Sequence, residues 1–230
     1  MWRRQVEGRA LTFHLAGINN QNFLMRDQET GSYWQQVSGQ AISGPLKGKF
    51  LELVHSDELT FDLWKSEHPN GKILSPVTLN MPDYAKSDWE EKLAKLPTVI
   101  GFPQGPLPNR ELVVGISLQG VDRAYPVQTI QKEATVIDQL GETPVLILTG
   151  PDGKSIRAFV RRMDGAPLEF FRKTGEPWAL IDSQTSSEWN FQGCATSGPA
   201  SGECLEALNL LKDYWFDWRQ YHPATTVYRR

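Results

Sequence analysis

The only two cysteines of the chain, Cys194 and Cys204, lie at equal distances from Pro199 in a segment whose glycines predict a tight hairpin. Such a hairpin places the two side chains opposite each other, at a separation that a disulfide spans. We expect this bridge, which would indicate an oxidising compartment, whereas two reduced thiols are typical of a cytosolic protein. A metal site is less favoured, because no Cys-x-x-Cys motif or neighbouring histidine completes four ligands.

Two histidines, His68 and His222, each stand before a proline at the end of a Trp-x-x-x-His-Pro motif. As a matched pair they are candidate metal ligands or acid–base groups. We favour the alternative that each histidine lies in the last turn of a short helix and bonds its terminal carbonyl groups.

Two aspartates, Asp27 and Asp182, each begin an Asp-x-x-Thr-x-Ser-x-Trp motif. Carboxylate and hydroxyl oxygens suit a hard cation, so these aspartates join the two histidines as a candidate ligand or metal site. The same residues also cap a hairpin turn, and we favour that structural role. We expect four repeated tryptophans to be core residues with bonded indole N–H groups, namely Trp34, Trp64, Trp189 and Trp218. Stacking against a sugar is their functional alternative, for which Trp2, Trp89, Trp178 and Trp215 are less constrained.

These motifs recur in one order and at nearly one spacing, which indicates an internal duplication. Between the aspartate motif and the Trp-His-Pro motif, both copies carry Gly-x-Ala-x-x-Gly-Pro-x-x-Gly-x-x-Leu-Glu, beginning at Gly39 and at Gly193. We therefore divide the chain into a first repeat over residues 1–76, a linker with a short helix over 77–108, and a second repeat over 109–230. The first repeat lacks the front section of the second, since the corresponding stretch would precede Met1.

Periodicity predicts a mainly β protein, rich in hairpins with a minor α content, whose two pseudo-symmetric repeats are each closed by a short helix. The closing helices are predicted at 60–67, capped by Thr60, and at 214–221, capped by Asp213. The linker helix is predicted over 87–96. In the front section, strands over 111–118 and 123–130 predict a further hairpin, and two more strands are predicted over 143–149 and 155–160.

The sequence resembles the bacterial domain of unknown function 3179 family. The resemblance rests on Arg123-Ala124-Tyr125-Pro126, on the aspartate motif, on Ala41-Ile42-x-Gly44-Pro45-x-x-Gly48 and on Trp64-x-x-x-His68-Pro69. Family members often carry a cysteine motif after the Arg-Ala-Tyr-Pro segment, where this chain has residues 146–150. They also carry a His-Glu pair, where this chain has Lys132-Glu133. The resemblance therefore implies no settled activity, and its candidate chemical groups are absent here.

Composition narrows the function classes. Asp and Glu total 27 against 24 Lys and Arg, so the net charge is −3, which argues against nucleic-acid binding. No apolar run is long enough to span a membrane, and the N-terminus does not read as a signal peptide. GxSxG, HExxH and GxGxxG motifs are missing, and residues 44–49 only imitate a phosphate-binding loop.

We therefore expect a non-catalytic binding or scaffold module with an unknown ligand or protein partner and no cofactor. The alternative is a metal- or redox-linked enzyme or accessory protein with a transition metal. A homo-oligomer is possible. An extracytoplasmic location is favoured if the cysteines are bridged, and a cytoplasmic one otherwise.

Overall fold

The computed structural model describes residues 1–19, 22–97, 105–175 and 178–229. Antiparallel strands dominate, as predicted, and the helices are short. The helices are α1 (Phe61–Glu67), α2 (Trp89–Lys95), α3 (Val127–Glu133) and α4 (Trp215–Tyr221), with one 3-10 helix over Thr78–Asp83. The strands are β1 (Trp2–Arg3), β2 (Gln5–Val6), β3 (Arg9–Ala10), β4 (Phe13–Asn19), β5 (Asn22–Asp27), β6 (Tyr33–Gln35), β7 (Ala41–Ser43), β8 (Glu52–Leu53), β9 (Leu112–Leu118), β10 (Val121–Pro126), β11 (Thr135–Leu140), β12 (Thr143–Thr149), β13 (Ile156–Val160), β14 (Arg162–Met163), β15 (Ala166–Pro167), β16 (Phe170–Arg172), β17 (Leu180–Asp182), β18 (Glu188–Trp189), β19 (Ala195–Ser197), β20 (Glu206–Leu208), β21 (Leu211–Tyr214) and β22 (Thr226–Val227).

Residues 1–76, called the first half below, form a four-stranded antiparallel meander in the order β4-β5-β6-β7. The small hairpin β2–β3 precedes the meander, and β1 pairs with β8. The last pairing of the meander contains a register shift at Trp34. Helix α1 then closes this half, and the Thr60 hydroxyl caps it by accepting a hydrogen bond from the Leu63 amide.

Residues 109–230, called the second half, contain the same series of pairings. The hairpin β14–β15 precedes the meander β16-β17-β18-β19, β13 pairs with β20, and α4 closes the half. The register of the last meander pairing shifts at Trp189. Even the isolated bridges correspond, since Gln40 pairs with Phe50 and Cys194 pairs with Cys204.

In the described parts of the chain, the front section is seen in the second half and not in the first. It consists of β9–β12 and α3, and it builds the sheets β21-β9-β10-β22 and β11-β12-β13-β20. The predicted strand over 123–130 is wrong beyond Pro126, because residues from Val127 onward form α3. Val127 and Ile130, three residues apart, bury one face of that helix, and Ala134 ends it in a left-handed conformation with φ of 60°.

The hydrophobic core is concentrated in the second half. One cluster lies between α3 and the strands of the front section, and a second surrounds Trp189. The first half has a smaller cluster around Trp34. Trp34, Trp189 and Trp218 are fully buried, at 0–2% exposure. The expectation for Trp64 is wrong, because this side chain is only partly buried.

In each half, the helix forms hydrogen bonds with the other half. Helix α1 and its cap contact the turn before β13 and β13 itself, and α4 contacts β5. Thr60 donates its backbone N–H to the Ser155 hydroxyl and its own hydroxyl to Asp152. The buried Arg157 guanidinium binds Glu67 with two hydrogen bonds of 2.8 Å each. From the other side, the Asn22 side-chain amide donates to Asp217 of α4 at 3.1 Å.

The predicted linker, residues 77–108, contains the expected helix as α2 together with the 3-10 helix. Its residues 98–104 lie outside the described residues. Leu74 and Leu79, on either side of its start, are 98% and 90% exposed. This part of the chain therefore adds little to the core.

Candidate functional site

The two aspartate motifs form nearly identical buried turns. Asp27 accepts hydrogen bonds from the Thr30 amide at 2.6 Å and from the Trp34 indole at 2.8 Å. Asp182 accepts from the Thr185 amide at 2.5 Å and from the Trp189 indole at 2.9 Å. Each carboxylate thus lies within its own turn, and the two aspartates are not brought together.

The pKa values of the two aspartates agree with this structural role. Burial raises the pKa of Asp27, but the hydrogen bonds from the Trp34 indole and from Thr30 lower it, and the net pKa lies below its ordinary value. The pKa of Asp182 is lowered on balance in the same way, by Thr185 and the Trp189 indole against the effect of burial. Both side chains are therefore fixed as buried acceptors with several donors each.

Cys194 and Cys204 lie opposite each other in the hairpin after β18, with their sulfur atoms 2.06 Å apart. This is disulfide distance, as the sequence predicts. The pair spans the base of the loop that carries Gly198 and Gly202, both with positive φ. The bridge therefore fixes a turn next to the core around Trp189.

The two histidines stand at corresponding positions with different surroundings. Each is the C-terminal cap of its helix, and its backbone N–H donates to the carbonyl of the tryptophan four residues earlier. The His222 ring stacks on Trp218 with 3.7 Å between ring centroids, and its Nδ1 lies 3.2 Å from Asp122. The exposed His68 ring is tilted and lies 5.8 Å from Trp64. Of the four candidate residues named above, only His222 lines the pocket described next.

A pocket of about 590 Å³ lies between the halves and is called the inter-half cleft below. The first half contributes its first strand, β5 and the loop after β6, and the second half contributes β9, β21 and α4. Its lining residues from the first half are Met1, Trp2, Asn22, Gln36, Val37, Ser38, Leu53 and Ser56. Those from the second half are Gly115, Ser117, Asn209, Leu210, Leu211, Lys212, Asp213, Trp218 and His222.

An acidic pair, Asp213 and Asp217, lies beside this cleft. Asp213 lines it, and Asp217 of α4 is buried next to Asp213. The predicted role of Asp213 as helix cap is wrong, because Tyr214 is the N-cap and no side chain caps α4. Burial, followed by repulsion from Asp217, raises the pKa of Asp213 to about 7. Burial also raises the pKa of Asp217, although hydrogen bonds with Asn22 and with the Asp213 carboxyl group lower it. Asn22 donates to Oδ2 of Asp217, and the other oxygen, Oδ1, is buried with no neighbour but the Asp213 carboxyl group to satisfy it among the described residues.

The spacing of these aspartates was a signal that sequence reasoning missed. They stand four residues apart on either side of Trp215 and Phe216, so a helix carries an acidic side chain within an apolar face. Burying such a group is costly unless it is paired or protonated. The position of Asp217 in a helix of aromatic residues therefore indicates that its carboxyl group is buried.

The cleft offers acid groups and an aromatic wall. A carboxyl group that titrates near neutral pH can accept or donate a proton, or can bind a cation. Among residues 1–19, 22–97, 105–175 and 178–229, no group of three or more His, Cys, Asp or Glu is arranged to hold a metal ion. In the same part of the chain, no helix is long and apolar enough to cross a membrane.

Comparison with known proteins gives one match. The family described as "Protein of unknown function (DUF3179)" matches residues 1–225, which is nearly the whole chain. Neither a curated protein nor a solved structure matches.

Proposed function

Because the chain belongs to the DUF3179 family of unknown function, we propose from its geometry that it is a non-catalytic binding module. In this proposal the inter-half cleft binds a small organic cation, such as a primary amine. The observation that carries the proposal is Asp213 in the cleft lining, with the buried Asp217 beside it, whose Oδ1 accepts no hydrogen bond from Asn22.

The proposal includes two tandem repeats, with boundaries at residues 1–76, 77–108 and 109–230. Matching meanders, matching register shifts and matching aspartate turns support this division. Among the described residues, the first repeat shows no counterpart of β9–β12 and α3. A cleft between two unequal repeats has different side chains on its two walls, which suits a ligand that is itself asymmetric.

A cation is the favoured ligand because of the charge of the acidic pair. A buried carboxylate with too few donors is unfavourable, and a cationic N–H donor satisfies it and favours its ionised form. Lys212, a basic residue of the lining, is already paired with Glu58 at 3.0 Å. The apolar part of a ligand would lie along Trp2 and Leu211 of the same cleft.

An extracytoplasmic location is part of the proposal. Its support is the disulfide distance between Cys194 and Cys204, since such bridges persist mainly in oxidising compartments. Labelling of free thiols in protein extracted under trapping conditions tests this location.

Calorimetric titration with a panel of primary amines, matched with neutral sugars and with carboxylates, tests the ligand class. We expect an amine to bind the parent protein with proton release at pH 6.5, because binding ionises Asp213. The Asp213→Asn and Asp217→Asn variants should each weaken binding by about tenfold or more. Asp62→Asn, at an exposed position of α1, is the matched control and should bind normally.

The proposal would be contradicted if no amine binds the parent protein, or if Asp213→Asn and Asp217→Asn both bind an amine as tightly as the parent does. Elemental analysis of the same preparation tests the alternative of a metal-linked enzyme. A stoichiometric transition metal would favour that alternative and would direct mutagenesis to His68 and His222.

A further inference from the structure

The face of α1 that carries Phe61 and Trp64 is covered by no sheet in the described structure and has Gly71 against the Trp64 ring, whereas the matching face of α4 is covered by a hairpin. Phe61 is 53% exposed and Trp64 is partly buried. Their counterparts Trp215 and Trp218 are 3% and 2% exposed. The helices have equal lengths and matching C-terminal caps, so the difference in exposure comes from what packs on them.

In the second half, the hairpin β9–β10 covers the helix. Val113 of β9 and Ala124 of β10 form one buried cluster with Trp215 and Trp218. Gly115 lies directly against the Trp218 ring, where an added Cβ would be 2.2 Å from ring atoms. The hairpin therefore supplies small residues where the large indole rings need room.

The chain after each helix shows the same contrast. In the second half, β22 pairs in parallel with β10, and Val227 packs against the cluster of the two tryptophans. The corresponding segment of the first half is Lys72–Ile73, which belongs to no sheet in the described structure. Its Ile73 side chain is 63% exposed.

These exposed groups line one groove. Phe61, Trp64, His68 and Ile73, together with residues 55–57 and Leu59, surround a volume of about 510 Å³. We call this the α1 groove. Asp57 and Leu59 of the groove belong to a segment that corresponds to β21, which in the second half is hydrogen-bonded to β9. The α1 groove thus combines an apolar floor with two segments whose counterparts both pair with the covering hairpin.

We propose that the α1 groove is a docking site for a β-hairpin of a partner protein, which binds there as β9–β10 binds α4. This inference rests on the correspondence of the two repeats and is independent of the ligand in the inter-half cleft. The occupant is a β-hairpin because the second half shows this element on the equivalent surface, with one strand beside β21 and the other beside β22. Docking by strand addition uses the same backbone hydrogen bonds as a sheet.

The chemistry of the second half specifies the partner further. A glycine of the hairpin should face Trp64, because Gly115 faces Trp218. An acidic residue near its turn should reach His68, because Asp122 near the turn of β9–β10 lies 3.2 Å from His222. Small apolar residues should cover Phe61 and Ile73, in the manner of Val113 and Ala124.

The test uses a hairpin peptide with the sequence of residues 111–126, closed by a disulfide between two added terminal cysteines. Closure is needed because an isolated two-stranded hairpin is marginally stable in water. We expect this peptide to bind the full chain and to raise its Tm. A peptide with Gly115→Val should bind at least tenfold more weakly, because its side chain would meet the indole ring.

Protein variants locate the site. Phe61→Asp and Ile73→Asp change exposed side chains, so the fold should persist, and each should weaken binding at least tenfold. Leu74→Asp, next to Ile73 and 98% exposed, is the matched control and should not alter binding. Asp213→Asn should leave peptide binding intact, which separates this site from the inter-half cleft.

Failure of the closed peptide to bind the parent chain would overturn the proposal. Binding that survives both groove variants, or that ignores the glycine of the peptide, would also overturn it. Sedimentation of the parent chain across a concentration range tests whether a second copy supplies the hairpin. Self-association that persists in Phe61→Asp would place the interface between copies elsewhere.

Discussion

Replacing Asp213 with asparagine should make the protein more stable at alkaline pH and leave its stability at acidic pH unchanged. Asp213 lies on β21 beside Asp217 of α4, and burial together with Asp217 raises its pKa from an ordinary 3.8 to about 7. The folded protein therefore keeps a proton on Asp213 at pH values where the unfolded chain has lost it. Stability must then fall as the pH rises from about 4 to about 7.

The shift in pKa sets the magnitude. Each unit corresponds to 1.36 kcal/mol, so the ionised form of Asp213 is disfavoured by up to about 4 kcal/mol in the folded state. Asparagine has nearly the same shape, accepts the Tyr214 N–H as the carboxylate does, and carries no charge. We therefore expect Asp213→Asn to raise the free energy of unfolding by about 2–4 kcal/mol at pH 8, and by less than about 0.5 kcal/mol at pH 4.

Urea unfolding followed by tryptophan fluorescence, at intervals between pH 4 and pH 8, measures this difference. Asp62→Asn, which removes an exposed carboxyl group of α1, is the control and should stay within about 0.5 kcal/mol of the parent throughout. If Asp213→Asn changes the free energy of unfolding by the same amount at every pH, the reasoning is refuted. Such a result would mean that ionisation of Asp213 does not affect stability. A loss of stability at pH 8 would refute the reasoning more directly.

Three further predictions address the turns and the packing of the two halves. Trp189→Phe removes the indole N–H that donates to the buried Asp182 carboxylate. It should lower the free energy of unfolding, measured by urea titration, by about 2–4 kcal/mol. An unchanged free energy of unfolding would contradict the role of this hydrogen bond. The double variant Gln40→Cys/Phe50→Cys should form a second disulfide, detected by thiol titration and mass, because this bridge pair corresponds to the native cysteine pair; a stable dithiol would show that the two hairpins differ. Gly115→Ala should lower Tm strongly, with a loss of about 3 kcal/mol or more, since its Cβ would lie 2.2 Å from an indole ring, and a silent change would mean that the helix shifts at little cost.

The proposed repeats are unequal in what covers them, and this difference organises the candidate functional surfaces. In the second half, the front section covers α4 and Asp213 is enclosed at the cleft wall. In the first half, the matching helix face is open and the α1 groove remains. Under the two proposals, one duplicated motif offers a polar cleft to a small ligand and an apolar groove to a protein.

Several local features could be predicted from the sequence because short-range chemistry determines them. Asp27 and Asp182 cap turns that their own threonine and tryptophan complete within seven residues. Thr60 begins α1, and the cysteines lie opposite each other in a hairpin of ten residues' separation. In each case the interacting groups are close along the chain, so spacing and residue type are sufficient.

Features that depend on distant segments could not be predicted in this way. Strand propensity extends to Ile130, but Val127–Glu133 packs as a helix on the sheets of the front section. The sequence predicts Asp213 as the cap of α4, yet its burial and the neighbouring Asp217 give it a raised pKa instead. Trp64 and Trp218 occupy the same position of the repeated motif, and no neighbouring residue in the sequence indicates that only Trp218 is fully buried.

The sequence by itself determined the mainly β class, the paired motifs, the turns that the aspartates close and the cysteine pair. Only the tertiary structure decided which of two equivalent tryptophans is buried, which acidic residues meet at the inter-half cleft, and which helix face is left open. The physical reason is that the burial of a side chain depends on the segment that packs against it. The sequence specifies the side chain at each position, but the segment that packs against it comes from elsewhere in the chain, as β9–β10 does for Trp218.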